Sequence, residues 1–209
     1  MIGSKILSVP VINEIIAHPT EERNIEFKQS TPWQENKFKA EVTKTILGMS
    51  NIRDGGWIVI GKRKLSDGTY ESDGMNQSDY DTYDYDKIID FVREYADPYV
   101  TISVQKPVLN QKKFVVIRIH EFDHIPVICK RDWGSTLHRG KIYTRSMVKP
   151  ETIEVPSHIE MREIIEMAVD KENRKFFARL YNLGLLHLVA APSQPQDKEL
   201  FDKQLEGLL

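Results

Sequence analysis

Cysteine is almost absent from this sequence, since Cys129 is the single thiol among 209 residues. One cysteine cannot form an internal disulfide or supply a zinc cluster, so a disulfide-stapled scaffold and a structural zinc domain are both excluded. The sequence also lacks any run of about 18 apolar residues, the length that a transmembrane helix needs. Its first residues lead into no long apolar segment of a signal peptide. We therefore expect no membrane association and a cytoplasmic location.

Excess charge of one sign is also missing, because 29 basic and 31 acidic residues give a net charge of -2. The charges are nevertheless unevenly distributed. Residues 67–97 contain ten acidic and two basic residues, whereas residues 106–149 contain ten basic and three acidic ones. A basic region can hold a phosphate backbone while an acidic region keeps nonspecific binding weak. Two solvated faces that happen to cluster would give the same pattern.

Hydrophobic spacing predicts helices and strands in alternation. The expected helices are 8–17, 34–49, 84–97 and 157–186, and the expected strands are 23–28, 57–60, 99–104, 113–120, 126–129 and 141–145. Residues 62–83 are polar and rich in Gly, Ser and Asp, which favours a long loop, with room for a small hairpin at Asp67-Gly68. This order predicts an α+β domain, a mixed β-sheet flanked by helices, over residues 1–156. A C-terminal helical extension follows over residues 157–209.

Five short segments resemble one family. The sequence from about residue 20 to about residue 165 is similar to the Schlafen/AlbA-type DNA-binding domain. The resemblance is carried by Glu21-Glu22-Arg23-Asn24-Ile25-Glu26-Phe27-Lys28, Ile46-Leu47-Gly48-Met49-Ser50-Asn51, Gly55-Gly56-Trp57-Ile58-Val59-Ile60-Gly61, Ile125-Pro126-Val127 and Gly140-Lys141-Ile142-Tyr143-Thr144-Arg145-Ser146.

The resemblance implies a mixed α/β domain that handles nucleic acid. In the Schlafen branch it also implies a metal-dependent ribonuclease built from three carboxylates, of which the first two correspond to Glu21 and Glu26. Carboxylates suit Mg²⁺ or Mn²⁺, which activate water and clamp a scissile phosphate. Lys28 lies on the same strand face as Glu26 and could neutralise phosphate charge. Two glutamates remain candidates for the first of the three carboxylates. Glu21 matches the family spacing, whereas Glu22 shares the strand face of Glu26.

The third carboxylate of the family follows the glycine after the buried strand. Here Gly61 is followed by Lys62, Arg63 and Lys64, and the nearest acid is Asp67. Two carboxylates facing three bases bind phosphate readily but hold a metal poorly. This substitution favours binding over cleavage.

Basic residues close to the family segments are the candidate phosphate contacts. They are Lys62, Arg63, Lys64, Lys130, Arg131, Arg139, Lys141 and Arg145. Three aromatic residues, Trp33, Trp133 and Tyr143, could stack on unpaired bases, although packing in the core is at least as good an explanation for each tryptophan.

Residues 56–62 formally match the P-loop pattern G-x-x-x-x-G-K. Arg63 stands where a P-loop needs Ser or Thr, and the four intervening residues form an apolar strand that cannot wrap phosphates. We therefore expect no ATP site, and no cofactor other than Mg²⁺ or Mn²⁺ in the case of a nuclease.

Three functions remain open from the sequence. The leading hypothesis is a DNA- or RNA-binding module, regulatory or associated with defence, that uses residues 62–64 and 139–145. The second is a metal-dependent endonuclease or endoribonuclease using Glu21, Glu26 and Asp67. The third is a scaffold that recruits a protein partner, or a second copy of itself, through the apolar stripe of residues 157–186, although that stripe could equally pack on its own domain.

Overall fold

The structure, a computed structural model, describes residues 9–155 and 158–185 of the 209-residue chain. The helices in these ranges are α1 (Val9–Ala17), α2 (Asn36–Ser50), α3 (Gln77–Tyr80), α4 (Tyr85–Arg93) and α5 (His158–Asn182). The strands are β1 (Ile25–Lys28), β2 (Gly56–Ile60), β3 (Lys62–Lys64), β4 (Tyr70–Ser72), β5 (Ala96–Asp97), β6 (Ile102–Gln105), β7 (Val108–Leu109), β8 (Lys112–Lys113), β9 (Val115–Ile119), β10 (Ile128–Cys129), β11 (Tyr143–Arg145) and β12 (Thr152–Glu154).

A four-stranded sheet with the order β1-β2-β9-β6 forms the centre of the domain. β1 pairs with β2 in parallel, and β9 is antiparallel to both β2 and β6. The sheet is therefore mixed, which confirms the predicted α+β class. The expected strands 99–104 and 113–120 correspond to β6 and β9, which pair in antiparallel orientation.

β2 is buried along its whole length, as its uninterrupted apolar sequence predicts. Because successive side chains of a strand point to opposite faces, β2 contributes to two hydrophobic clusters. Ile58 and Ile60 belong to the larger cluster with α2 and α4, whereas Trp57 and Val59 belong to the smaller cluster with α1. The sheet is thus covered on both sides.

The helix α2 presents the predicted stripe to the larger cluster, since Phe38, Val42, Ile46 and Met49 are all buried. Asp84 caps α4 as expected, because its side chain accepts hydrogen bonds from the backbone of residues 86 and 87.

The prediction of a long loop over residues 62–83 is wrong. β3 and β4 form an antiparallel hairpin there, followed by the short helix α3. The expected small hairpin is present, with Asp67 and Gly68 in its turn. β12, which pairs with β11, was not predicted. Its sequence is too short and too polar to give a clear period of two.

The chain divides into two compact units, one ending at Ala168 and one beginning at Val169. α5 begins in the first unit, where Ile164 and Met167 are buried. In the second unit Val169, Phe176 and Tyr181 are exposed. The predicted boundary after residue 156 and the predicted recruitment of a partner stay predictions. Residue 157, where the last expected helix begins, and the part of the expected extension beyond residue 185 lie outside the described residues.

In the described ranges, no helix has both the length and the apolar character that crossing a membrane requires.

Candidate functional site

Glu26 lies in β1 with only 8% of its surface exposed. Each of its carboxylate oxygens faces a cation. Oε2 is 2.7 Å from Nη1 of Arg145, and Oε1 is 2.8 Å from Nζ of Lys28. Lys28 therefore does lie beside Glu26, as the strand period predicts. A carboxylate that is shared by two cations is already neutralised, so it has little residual attraction for a metal ion.

Arg145 is fully buried and serves as an anchor between β11 and β1. Its Nε donates to the carbonyl oxygen of Arg23 at 2.9 Å, and its Nη1 also donates to Oγ1 of Thr152 at 3.1 Å. Burial corrects the expectation that Arg145 contacts nucleic acid, because its guanidinium faces the protein interior.

Glu21 and Glu22 point in different directions. Oε1 of Glu21 accepts a hydrogen bond from the backbone N–H of Phe27 at 3.0 Å. Glu22 is exposed and approaches His18, with 3.2 Å between Oε1 and Nε2. Both Glu21 and Glu26 act on Tyr70, whose pKa is raised by burial, by a hydrogen bond to Glu21 and by the two negative charges. The structure therefore brings Glu21, rather than Glu22, together with Glu26 around a tyrosine.

Tyr70 was missed by the sequence reasoning. It lies in β4, inside the segment predicted as a loop, and no motif marked it. Its ring packs edge-on against Phe27 with 5.0 Å between centroids, which places the phenol beside the two carboxylates.

Asp67 does not join this site through any described interaction. It lies in the turn between β3 and β4, where Oδ1 accepts hydrogen bonds from the backbone and hydroxyl of Thr69 at 2.9 and 2.6 Å. These bonds lower the pKa of the exposed Asp67 carboxyl. Among the described residues, no group of three or more His, Cys, Asp and Glu side chains is placed to hold a metal ion. The donor set around Glu26 does not fit Mg²⁺ or Mn²⁺, because such an ion binds through one or two carboxylates and both oxygens of Glu26 are already engaged by cations.

The basic triplet of residues 62–64 is a strand in which the three side chains have different surroundings. Lys62 is 1% exposed, and its Nζ donates to the carbonyl oxygens of Ile16 and His18, both at 2.8 Å. Burial lowers the pKa of this amine. This corrects the expectation that Lys62 contacts phosphate, because its ammonium group instead satisfies carbonyls at the end of α1.

The other two members of the triplet are exposed. The guanidinium of Arg63 forms ion pairs with Glu71, at 2.6 Å, and with Asp73. Nζ of Lys64 lies 5.7 Å from the centroid of the Tyr70 ring. Lys64 therefore remains a candidate contact for an anion, whereas the charge of Arg63 is largely offset by its two acidic neighbours.

Four of the predicted basic residues are exposed on two adjoining segments, which we call the basic surface: Lys130, Arg131, Arg139 and Lys141. Backbone hydrogen bonds join its two segments, because the N–H of Cys129 donates to Lys141 at 2.9 Å and the N–H of Gly140 donates to Cys129 at 2.7 Å.

The cations of the basic surface differ in their acidic neighbours. Arg131 pairs with Glu94 at 2.8 Å, and Lys141 pairs with Glu154 at 3.2 Å. The guanidinium of Arg139 has no acidic partner within the described part of the chain. Exposed ion pairs of this kind are weak, so a phosphate can compete for each cation.

Two of the predicted stacking residues are core residues, since Trp33 is 3% exposed and Tyr143 is fully buried. Trp133 is partly buried. Sequence reasoning missed the exposed Tyr99, whose ring lies 5.3 Å from Nζ of Lys130 and 5.7 Å from Cζ of Arg93. The only signal in the sequence was its position directly after Asp97-Pro98, at the end of the predicted helix.

The fold and the basic surface define an α+β domain with exposed cations, one of which, Lys130, lies beside an exposed aromatic residue. The sequence matches the family described as "Schlafen, AlbA_2" over residues 21–154, which is more than half of the chain. The chain belongs to this family, which confirms the resemblance found in the sequence. Family membership supports a function connected with nucleic acid.

Comparison with curated proteins gave no match. Among solved structures, the DIP2311 protein from Corynebacterium diphtheriae is similar at 13% sequence identity, with a TM-score of 0.49 over 74% of this chain. The chain spans only 27% of the length of that protein. The N-terminal domain of a RecG-related protein from Nitrosomonas europaea is similar at 19% identity, with a TM-score of 0.42 over 71% of this chain and 94% of that domain.

Proposed function

We propose that this protein is a nucleic-acid-binding module that holds the phosphate backbone of DNA or RNA on its basic surface. The observation that carries the proposal is the pair of backbone hydrogen bonds that join Cys129 to Lys141 and Gly140. These bonds place side by side two segments that are separated in the sequence and that together carry four exposed cations. Lysine and arginine side chains provide most of the affinity for a phosphate backbone.

Two other lysines of the basic segment, residues 106–149, have a different task. Nζ of Lys106 donates to the carbonyl oxygens of Tyr80 and Tyr83, and Nζ of Lys112 donates to that of Ser72. These lysines hold the acidic segment, residues 67–97, against the rest of the domain. The basic segment therefore contains lysines that stabilise the fold as well as exposed bases that are available to a ligand.

No observation favours cleavage as a second function. Both oxygens of Glu26 are engaged by cations, Glu21 accepts a backbone hydrogen bond, and Asp67 belongs to a turn. Binding needs none of these carboxylates, whereas a metal-dependent nuclease needs them free.

The proposal is tested by fluorescence anisotropy with labelled single-stranded DNA, single-stranded RNA and duplex DNA over a series of salt concentrations. Arg139→Glu should weaken binding and make it less dependent on salt, by a slope of about 0.7 to 0.9 for each phosphate that the protein no longer neutralises. Lys87→Glu is the matched control, because Lys87 is exposed on α4 and the substitution changes the net charge by the same amount.

Equal loss of binding in both variants would point to net charge alone and would contradict a specific basic surface. The same samples, incubated with Mn²⁺, Mg²⁺ or EDTA and run on denaturing gels, test for cleavage. We expect intact nucleic acid in every lane. Metal-dependent products that disappear in Glu26→Gln would overturn the assignment of this protein as a binding module without catalysis.

A further inference from the structure

We propose that Tyr99, flanked by Arg93 and Lys130, is a binding site for an unpaired nucleobase, which makes single-stranded nucleic acid the substrate class of this domain. This inference rests on the proposed function and deepens it, because it adds a site for bases to a surface for phosphates.

The ring of Tyr99 is open to solvent. It is 70% exposed, which makes it the most exposed aromatic residue among the described residues up to Ala168. Other aromatic rings of this unit pack against one another, as Trp33 does with Phe38 and Phe91 with Tyr95. Tyr99 forms no ring pair with any described residue. The ring thus contributes little to the core. A planar ligand can reach it by displacing one of the two exposed side chains that lie over it, Arg93 and Lys130.

The position of the ring relative to Lys130 is fixed by the backbone. β5 ends at Asp97, two residues before Tyr99, and β10 ends at Cys129, directly before Lys130. These two strands pair in antiparallel register, and the N–H of Lys130 donates to the carbonyl oxygen of Tyr95 at 2.8 Å. Because the strand pair anchors both residues, the ring and the ammonium group are held as neighbours before any ligand arrives.

The two cations give the site its charge. Nζ of Lys130 and Cζ of Arg93 lie 5.3 and 5.7 Å from the ring centroid, within the range of a cation–π interaction. Both can bind the phosphates on either side of a nucleotide whose base stacks on the ring. Lys130 also belongs to the basic surface, so the site for a base and the surface for the backbone are continuous.

This combination discriminates against a duplex. In a double helix the faces of the bases are covered by their neighbours, so a protein ring can stack only on a base that is unpaired. Every base has a π-face, and a single ring therefore accepts different bases. We expect a preference for single strands with little dependence on sequence.

The test compares Tyr99→Ala with Tyr99→Phe, which keeps the ring. Probes are single-stranded oligonucleotides of about 12 nucleotides, a length within the range that such sites cover, and the matching duplex. Tyr99→Ala should lose about five- to a hundredfold in affinity for the single strand, while Tyr99→Phe and duplex binding stay close to wild type. Tyr85→Ala is the matched control, since Tyr85 is an exposed tyrosine of α4.

A second measurement reports stacking directly. The emission of 2-aminopurine in the single strand should be quenched on binding to the wild type and to Tyr99→Phe, and less so on binding to Tyr99→Ala. Thermal melts of all variants show whether they are folded.

The outcomes separate the two proposals. If Tyr99→Ala binds the single strand as tightly as the wild type while Arg139→Glu weakens binding, the base site is overturned and the proposed function stands. If the wild type binds neither single strands nor duplexes, the proposed function fails, and the base site fails with it.

Discussion

Glu26 and Arg145 form an ion pair inside the protein, with 2.7 Å between Oε2 and Nη1, although 119 residues separate them in the sequence. The pair connects β1, where the chain first enters the sheet, with β11. Arg145 also donates to backbone carbonyls of the segment that precedes β1. The charged residues of two family segments therefore stabilise the fold at this position.

Removing one partner of this pair should be costly. Arg145→Met leaves the carboxylate of Glu26 buried with Lys28 alone and frees the carbonyl oxygen of Arg23, so we expect the free energy of unfolding to fall by about 3 to 5 kcal/mol. Urea denaturation measures the change. The control is Arg131→Met, which breaks an exposed ion pair with Glu94 and should cost about 1 kcal/mol at most. Similar losses in the two variants would show that the buried pair has no special role.

Asn51 is buried at the end of α2 and joins two other segments. Its Nδ2 donates to the carbonyl oxygens of Val127 and Tyr143 at 2.8 and 2.9 Å, and its Oδ1 accepts from the N–H of Val127 at 2.8 Å. Asn51→Asp keeps the acceptor but cannot donate while ionised, so two buried carbonyls lose their partner. We expect a loss of about 3 kcal/mol or more in the free energy of unfolding.

The same substitution at the other end of α2 provides the control. Asn36 is the exposed first residue of the helix, where a negative charge interacts favourably with the helix dipole. Asn36→Asp should therefore be neutral or slightly stabilising, by about 0.3 to 1 kcal/mol. A loss at Asn51 no larger than the effect at Asn36 would contradict the role assigned to the three hydrogen bonds.

Gly55 precedes β2 with a φ of +66°, and a Cβ there would lie 2.1 Å from the carbonyl oxygen of Ile119. Gly55→Ala therefore adds a clash with a neighbouring strand to the strain of a left-handed backbone, and it should destabilise the fold by about 3 kcal/mol or more. Gly68 also has a positive φ, +87°, but nothing lies within 4 Å of its Cβ position. Gly68→Ala should cost about 1 to 2 kcal/mol, and thermal or urea denaturation of both variants measures the difference.

Local pattern was sufficient for most of the central sheet and for α2. The apolar run of β2 and the spacing of Phe38, Val42 and Ile46 each depend on neighbours in the sequence, and both predictions are confirmed. The burial of Lys62 and Arg145 depends on distant segments of the chain. Lys62 is buried against the end of α1, and Arg145 is buried against the carboxylate of Glu26 in β1. The sequence around a lysine or arginine does not indicate which distant residue will pair with it in the folded protein.

The basic surface was predicted only in part for the same reason. The sequence indicated residues 130–131 and 139–141 as candidate phosphate contacts. That these two segments lie side by side depends on backbone hydrogen bonds across a loop. Tyr99 could not be recognised as exposed, because an aromatic residue at the start of a predicted strand is more often part of the core.

Glu154 contacts both His138 and Lys141 of the neighbouring segment, with 2.5 Å from its Oε1 to Nδ1 and 3.2 Å from its Oε2 to Nζ. The hydrogen bond from His138 and the one from Lys141 lower the pKa of this carboxyl below its usual 4.5. In the unfolded chain the carboxyl binds a proton at higher pH than in the folded protein, so the stabilisation is complete above pH 4.5 and is lost as the pH falls through the folded pKa.

Glu154→Gln removes this contribution, which for a group that is partly open to solvent amounts to about 1 kcal/mol at most. Thermal midpoints of the two proteins should therefore differ at neutral pH and converge as the pH falls below 4.5. A difference in thermal midpoint that stays constant as the pH falls well below that value would contradict the role assigned to the carboxylate.

The same variant, Glu154→Gln, releases Lys141 from its acidic partner, so it should bind single-stranded DNA more tightly than the wild type at neutral pH. Glu151→Gln, which removes an exposed carboxyl without an ion-pair partner in the described ranges, separates this local effect from a change in net charge.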